Sequence, residues 1–207
     1  MSPTRLYLIR HGATAHNEKR PVVLQGNGIN GPLSERGQQQ AADLGEFFRG
    51  RKVDAVYASP MLRAQQTAQA VAEHHGHDVQ SLETLHEVNV GAWEGMTWAQ
   101  IMAAEPERYE SFMSDPYFPY RDGESYGDVL NRVSPVLDSL YEKHRGETIV
   151  VVAHNVVNRV YLSHLLDQNL HRARKIRQMN CCINLIHHED RPELIAMNSV
   201  FHLKEWL

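Results

Sequence analysis

The 207-residue chain has few of the features that mark secreted, membrane-spanning or nucleic-acid-binding proteins. It contains only two cysteines, and because Cys181 and Cys182 are adjacent they predict no disulfide framework. No apolar run approaches the roughly 20 residues that cross a bilayer. The net charge of −4 leaves no basic excess to neutralise nucleic-acid phosphates. These absences predict a protein of the reducing cytoplasm with neither a nucleic-acid nor a membrane partner.

The composition is that of a folded chain. Hydrophobic residues make up 42% of the chain and charged residues 22%, which suffices for a full core and excludes overall disorder. The first strand is predicted from Arg5, which leaves no room for a signal peptide ahead of it. No internal repeat or linker divides the sequence, so residues 1–207 are predicted to form one domain.

Short apolar runs alternate along the chain with segments in which apolar residues recur at helical spacing. The predicted strands are residues 5–9, 53–58, 148–153, 181–187 and 193–196, the last two as a hairpin; the predicted helices are residues 33–48, 61–75, 98–113, 125–144 and 155–166. Ser34 and Ser125 are suitable N-caps, and Pro106 should interrupt the helix in which it lies. The alternation predicts an α/β fold, a three-layer sandwich in which a largely parallel central sheet is flanked by helices.

An irregular stretch, residues 114–124, interrupts this alternation. It contains, in order, Pro116, Tyr117, Phe118, Pro119 and Tyr120. Two interpretations remain open: the aromatic side chains pack locally over a helix, or the segment from about residue 105 to about residue 125 is a lid-like loop that faces a substrate.

Cationic and imidazole side chains stand where three predicted strands end. Arg10 and His11 follow the first strand, and His154 follows the third. Arg63 lies in the first turn of the helix after the second strand. Because the carboxyl ends of parallel strands meet at one edge of a sheet, these side chains should form one cluster. The positive charges of such a cluster repel one another unless an anion lies between them. The planar guanidinium of arginine can bind two oxygens of a phosphate at once. The pattern therefore predicts an anion site.

Ordered motifs along nearly the whole chain carry a family resemblance. They are LIRHGAT (8–14), PLSERG (32–37), YASPMLRAQQTA (57–68), LHE (85–87), GAWEG (91–95), DGES (122–125) and VVAH (151–154). The chain resembles the histidine phosphatase superfamily, the phosphoglycerate-mutase-like proteins, and within it the branch of small-metabolite phosphatases.

The resemblance implies a role for each matching residue. His11 would be the nucleophile that forms a phosphohistidine, and Glu87 would be the proton donor. The transferred phosphoryl group would be held by Arg10, Arg63 and His154, with Asn17 and Gln25 as secondary contacts. The residues alone leave plainer alternatives open: Glu87 as a solvated loop carboxylate, Asn17 as a helix or turn cap and Gln25 as an ordinary loop residue.

The sequence departs from the family pattern at three places. Asn155 follows His154 where the family often has glycine, which bears on the shape of the phosphate pocket. Asn30 stands near a position that is commonly acidic. The loop between Asn17 and Gln25 is slightly long, which leaves the alignment of Gln25 open.

Two histidine-rich stretches could suggest a metal site. His74-His75-Gly76-His77 stands at a predicted helix end and lacks a thiolate or carboxylate partner set, so a solvated helix end is expected there. His187-His188-Glu189-Asp190 is predicted to be a polar turn between strands. No metal and no cofactor is expected at the predicted anion site.

The resemblance implies a metal-independent phosphomonoesterase that hydrolyses a small phosphorylated metabolite in the cytoplasm through a phosphohistidine intermediate. The alternatives are a cofactor-dependent phosphoglycerate mutase and a non-catalytic phospholigand-binding protein. Mutases are usually longer and carry an Arg-Tyr-Gly type segment where this chain has Val88-Asn89-Val90-Gly91. A binding protein would not need both a nucleophile and an acid. The substrate stays open, as does a homodimer.

Overall fold

The computed structural model describes residues 2–206, which form a central β-sheet with helices packed on both faces. The strands are β1 Thr4–Arg10, β2 Ala55–Ala58, β3 Val79–Ser81, β4 Thr148–Ala153, β5 Ile183–His188 and β6 Pro192–Ser199. The helices are α1 Ala15–Glu18, α2 Glu35–Arg49, α3 Leu62–Ala72, α4 Trp98–Ala104, α5 Pro106–Ser114, α6 Tyr126–Lys143 and α7 Asn155–Leu165. Short 3-10 helices lie at Glu83–Leu85, Gly91–Trp93 and Leu170–Lys175.

The six strands lie in the order β3-β2-β4-β1-β5-β6. Strands β1 to β4 run parallel to one another, whereas β5 runs antiparallel to β1 and β6 antiparallel to β5. The predicted three-layer α/β sandwich with a largely parallel sheet is confirmed, and so is the predicted hairpin at the end of the chain.

The central strand β4 is buried along its whole length, as expected for a parallel strand covered on both faces. Its residues alternate between two cores. Ile149 and Val151 contact the core that contains buried residues of α6 and α7, whereas Val150 and Val152 contact the core that contains residues of α2 and α3. The alternation follows from the period of two in a strand. Within residues 2–206, no helix is long and apolar enough to cross a membrane.

The helix caps form where the sequence predicts them. The side chain of Ser34 accepts the backbone N–H of Gly37 at the start of α2. Ser125 and Asp128 exchange hydrogen bonds in a capping box at the start of α6. Pro106 is the first residue of α5 and separates it from α4, because proline has no N–H for the helix that precedes it.

Two predicted element boundaries require correction, and one strand was not predicted. The helix predicted to reach residue 75 ends at Ala72. The strand predicted from Cys181 begins at Ile183, because Cys181 has a left-handed φ of 53° that breaks the extended conformation. The short edge strand β3 was not predicted, since Gln80 and Ser81 are exposed and polar and give no apolar pattern.

The segment from about 105 to 125 contains helix α5 followed by a turn. Phe112 and Tyr120 are buried with their ring centroids 4.4 Å apart, and both pack edge-on against Trp93. Tyr117 is 65% exposed. Local aromatic packing therefore accounts for Tyr120, while a lid-like role of the segment stays a prediction.

Candidate active site

The carboxyl ends of the parallel strands bring the predicted cationic and imidazole groups together. Arg10 ends β1 and pairs with Ala153, which ends β4. The next residue, His11, donates its backbone N–H to the carbonyl of Ala153 at 3.1 Å. The ring centroids of His11 and His154 lie 5.1 Å apart. Arg63 reaches the same place from the first turn of α3, so the predicted cluster exists.

The ring of His11 is held in one tautomer. It is only 3% exposed, and its Nδ1 lies 2.7 Å from the carbonyl oxygen of Gly12. Because a carbonyl can only accept, Nδ1 carries the hydrogen and Nε2 keeps its lone pair. Burial, and then the charges of Arg63 and Arg10, lower the pKa of His11 well below its ordinary value. His11 therefore presents an unprotonated Nε2 at neutral pH.

Two glycines of the family motifs allow the backbone at His11 to lie against α2. A Cβ on Gly12 would stand 2.7 Å from the carbonyl oxygen of Gly37, and a Cβ on Gly37 would stand 2.0 Å from that of Ala13. Both contacts are shorter than a real Cβ tolerates, so any side chain would push the loop away from the helix. The glycines thereby help to place His11.

Arg63 is fully buried, and each of its three guanidinium nitrogens donates a hydrogen bond. Its Nε donates to Nε2 of His11 at 3.2 Å, while Nη1 and Nη2 donate to the carbonyls of Ile29 and Gly26 at 2.9 and 3.1 Å. Burial lowers the pKa of Arg63 to about 10, which still leaves it charged at neutral pH. The carboxylate of Glu94 accepts the N–H of Gly26 at 2.7 Å, and so holds the loop that orients Arg63.

Arg10 and His154 each carry a buried nitrogen that lacks a protein partner. Nη1 of Arg10 donates to the carbonyl of Gln178 at 2.6 Å, but its Nε is buried without a partner. His154 contacts Oγ of Ser59 through Nε2 at 2.7 Å, and its Nδ1 is buried without one. Burial, and then the charge of Arg63, lower the pKa of His154 well below its ordinary value. The unpaired N–H of Arg10 and the unpaired imidazole nitrogen of His154 leave polar atoms free for an anionic ligand.

Glu87 reaches the site from the segment between β3 and α4. It is 4% exposed, and its carboxylate accepts the N–H of Val88 at 2.9 Å. Both oxygens also lie 3.3 Å from the N–H of Val156, in the first turn of α7 directly after His154. The positive end of a helix favours a carboxylate. The structure thus brings Glu87 to the strand-end cluster, although 67 residues separate it from His154 along the chain.

Asn17 and Gln25 belong to one hydrogen-bond network beside His11. Oε1 of Gln25 accepts from the hydroxyl of Thr14 at 2.8 Å and from Nδ2 of Asn17 at 3.4 Å, and its Nε2 is buried without a partner. Asn17 also forms the capping box of α1 with Thr14, so the cap interpretation is correct for that residue without excluding a ligand contact. The two phosphate-binding roles stay predictions.

Asn180 was not predicted as a site residue. Its Nδ2 donates to the carbonyl oxygen of His11 at 3.1 Å and to Oδ1 of Asn17 at 3.0 Å. Gln178, which accepts from Arg10, was also missed. Both lie in the irregular stretch before β5, which carries no periodic signal, and only the tertiary fold shows that it borders the site.

The two asparagines that depart from the family pattern have distinct environments. Oδ1 of Asn30 accepts the N–H of Leu62 at 2.8 Å and caps the start of α3, a task that an acidic side chain also performs. Asn155 is the first residue of α7, and its Oδ1 is buried without a partner.

The chain also contains two histidine-rich stretches and two free thiols. Between residues 2 and 206, no group of three or more His, Cys, Asp or Glu side chains could hold a metal ion. Nε2 of His77 lies 2.9 Å from the carbonyl of Val53. The polar turn predicted at residues 187–190 is wrong for its first half, because His187 and His188 belong to β5 and only Glu189 and Asp190 lie in the bend before β6. Burial raises the pKa of Cys181 well above its ordinary value and that of Cys182 to about 11, so both free thiols stay protonated.

Comparison with known proteins decides the family. Residues 6–199 match the profile of the histidine phosphatase superfamily, branch 1. The chain belongs to the histidine phosphatase superfamily. The resemblance stated from the motifs is thereby confirmed over nearly the whole sequence.

The relatives of this histidine phosphatase include enzymes of defined activity. Phosphoserine phosphatase 1 of Hydrogenobacter thermophilus is 31% identical over 204 residues, which cover 98% of this chain and 95% of that protein. The structure of a mutant phosphoserine phosphatase of Entamoeba histolytica in complex with phosphoserine matches this chain with a TM-score of 0.86 and 29% identity. The match covers 97% of this chain and 99% of the Entamoeba chain. The structure of a mycobacterial glucosyl-3-phosphoglycerate phosphatase matches with a TM-score of 0.85 and 26% identity, and the match covers 96% of this chain and 100% of the mycobacterial chain.

Several other curated relatives are longer, and this histidine phosphatase spans less than half of their length. The family membership, together with full-length phosphatase relatives, confirms the predicted enzyme class, a phosphoric monoester hydrolase.

Proposed function

We propose that the chain hydrolyses a small phosphorylated metabolite in two steps through a phosphohistidine at His11. The observation that carries the proposal is the unprotonated Nε2 of a buried histidine beside two guanidiniums. In the first step, Nε2 attacks phosphorus in line, the Nε2–P bond forms and the P–O bond to the leaving group breaks. In the proposed substrate complex Glu87 carries a proton, and the leaving alkoxide takes that proton from its carboxyl.

The second step returns the enzyme to its starting state. The carboxylate of Glu87 takes a proton from water, the water oxygen bonds to phosphorus, and the P–Nε2 bond breaks. Inorganic phosphate leaves, Glu87 is again protonated and His11 is again neutral. The same residue therefore serves as acid and then as base.

Two guanidiniums and one imidazole around His11 would stabilise the transferring phosphoryl group. Charge in the transition state spreads over three equatorial oxygens, and fixed donors aimed at them lower the barrier. Arg63 Nε, Arg10 Nε and His154 Nδ1 are the candidates, because they are buried and stand in one cluster. Asn17 and Gln25 would line its edge. No step requires a metal ion.

A small metabolite as substrate is supported by the relatives that act on phosphoserine and glucosyl-3-phosphoglycerate and that this chain matches over nearly its full length. The cytoplasm is the proposed compartment, since the free thiols of Cys181 and Cys182 fit a reducing environment. A homodimer stays a prediction.

The test is an acid-quenched reaction with labelled substrate. Wild-type protein should retain label in an acid-labile linkage, and His11→Ala should retain none. His164→Ala, which changes an exposed histidine of α7, should be labelled like the wild type. Labelling of His11→Ala at the wild-type level would overturn the assignment.

Two alternative activities are separated by product analysis. With phosphoglycerate, the proposed hydrolase releases inorganic phosphate faster than it forms the isomeric phosphoglycerate, with or without a bisphosphate primer. Rapid primer-dependent isomerisation with little phosphate release would favour the mutase. Binding without turnover across a panel of phosphorylated metabolites would favour the non-catalytic binding protein.

A further inference from the structure

The proposed acid lies on a segment with little regular structure. Residues 84–89 contain the end of a single 3-10 turn and continue as irregular chain. Such a segment lacks the repeated backbone hydrogen bonds that hold a helix or a strand. Its geometry depends on groups from outside, and these decide where the carboxyl of Glu87 stands.

An ion pair between Arg132 and Glu124 contacts this segment. Nε of Arg132 donates to Oε1 of Glu124 at 2.7 Å, and Nη2 donates to Oε2 at 3.1 Å. The fork of the guanidinium thus meets the carboxylate in the two-point geometry that orients both groups. The side chains are only 17% and 21% exposed, so the pair is less screened than a surface pair.

The same two side chains hold the backbone of the segment at three points. Arg132 donates through Nη1 to the carbonyl of Thr84 and through Nη2 to the carbonyl of Glu87 at 3.4 Å. Oε2 of Glu124 accepts the N–H of Asn89 at 2.8 Å. The two attachment points at Thr84 and Asn89 lie on either side of Glu87, so the pair spans the acid.

We propose that Arg132 and Glu124 form a positioning pair that sets the carboxyl of Glu87 for proton transfer to the leaving group. The inference rests on the proposed function, because it takes Glu87 as the acid. Neither side chain is assigned a contact with substrate. They act through the backbone of residues 84–89, and Glu87 completes the link by accepting the N–H of Val156 at the start of α7.

The consequence is a dependence on the leaving group. An alkyl phosphate requires the proton from Glu87, whereas nitrophenyl phosphate releases a stable phenolate without it. A displacement of a catalytic group by about 1 Å can cost roughly 100-fold. Arg132→Gln should therefore slow the single-turnover rate with an alkyl phosphate by about 10- to 100-fold. The pre-steady-state burst with nitrophenyl phosphate should change much less.

Three further variants make the test specific. Arg132→Lys keeps the charge but loses the two-point fork, so it should show the same selective loss. It takes the place of Arg132→Gln in the test if that variant does not fold. Glu124→Gln should behave likewise. Arg49→Gln is the matched control, because it removes another arginine–glutamate pair, with Glu46, that lies within α2. Both rates should stay at the wild-type level in this control.

A double variant distinguishes positioning of Glu87 from a general structural role. In a Glu87→Gln background, Arg132→Gln should cause no further loss with the alkyl phosphate, because the group that it places is already absent. Equal fractional losses for both substrates, or an undiminished loss in the double variant, would overturn the proposal. If Glu87→Gln alone lowers both rates equally, the acid assignment itself fails. If Glu87→Gln is selective and the Arg132 variants are not, only the positioning pair fails.

Discussion

Arg63 donates its Nε hydrogen to Nε2 of His11 across 3.2 Å, at the nitrogen that keeps the lone pair. The guanidinium of Arg63 therefore already lies beside the nitrogen that would attack phosphorus, within reach of a phosphoryl oxygen. Because Arg63 is fixed by two backbone carbonyls, its donor direction is set before substrate arrives. In the proposed reaction a phosphoryl oxygen takes over this donor and frees the lone pair for attack.

Replacing Arg63 by lysine tests this relationship. Lysine keeps a charge but cannot contact Gly26, Ile29 and the phosphoryl group with one planar fork. We expect the phosphorylation rate to fall by about 100- to 1,000-fold, as for the loss of one oriented donor to a transition state. Arg36→Lys, at an exposed arginine, is the control. A loss no larger than that of the control would contradict the role of Arg63.

Glu87→Gln should separate substrates by their leaving groups. Removal of a general acid typically costs about 100- to 10,000-fold where the proton is needed. We therefore expect single-turnover hydrolysis of an alkyl phosphate to collapse, while the burst of nitrophenol from nitrophenyl phosphate is largely retained. Steady-state turnover of nitrophenyl phosphate should still fall, since the proposed second step also uses Glu87 to activate water. Equal losses in both phosphorylation steps would show that Glu87 is not the acid.

The buried histidines predict acid lability. The pKa values of His11 and His154 are lowered from 6.5, so below pH 6.5 the unfolded chain binds more protons than the folded one. The free energy of unfolding should then decrease as the pH falls, by up to about 1.4 kcal/mol per pH unit for each group. Urea unfolding between pH 7 and pH 5 measures this slope. His11→Asn should flatten it, and an unchanged slope would contradict the prediction.

Asn180→Ala should impair catalysis although Asn180 is assigned no bond to the substrate. It removes hydrogen bonds to the His11 carbonyl and to Asn17, each with a net value of about 1 kcal/mol. A reduction of kcat/KM by about 5- to 100-fold is expected if both bonds support the transition state. Asn131→Ala, at an exposed asparagine of α6, is the control. Equal activity of the two variants would assign Asn180 no part in the site.

Exhaustive treatment with a chelator should leave activity unchanged. In the proposed mechanism, Arg10 and Arg63 supply the positive charge that a metal would otherwise supply, and Glu87 supplies the proton for the leaving group. The measurement is phosphate release before and after dialysis against the chelator. Activity that is lost and then restored by one divalent ion would contradict the metal-independent mechanism.

Much of the fold was predictable because its signals are local. Strand β4 is apolar from Ile149 to Ala153, and each cap, at Ser34 and at Ser125, is formed with a residue only three positions further along the chain. The meeting of Arg10 and His154 was also predictable, since adjacent parallel strands end at one edge. Strand β3 was not, because three residues without an apolar face leave no pattern.

The sequence by itself determined the family, the α/β class and the residue types that converge at the strand ends, because motifs and periodicity are properties of neighbouring residues. Only the tertiary structure decided how those groups are oriented. The tautomer of His11 depends on the Gly12 carbonyl, and the contact from Asn180 crosses 169 residues of chain. Such contacts follow from the packing of irregular segments, whose paths are set by the assembled fold and leave no periodic trace in the sequence.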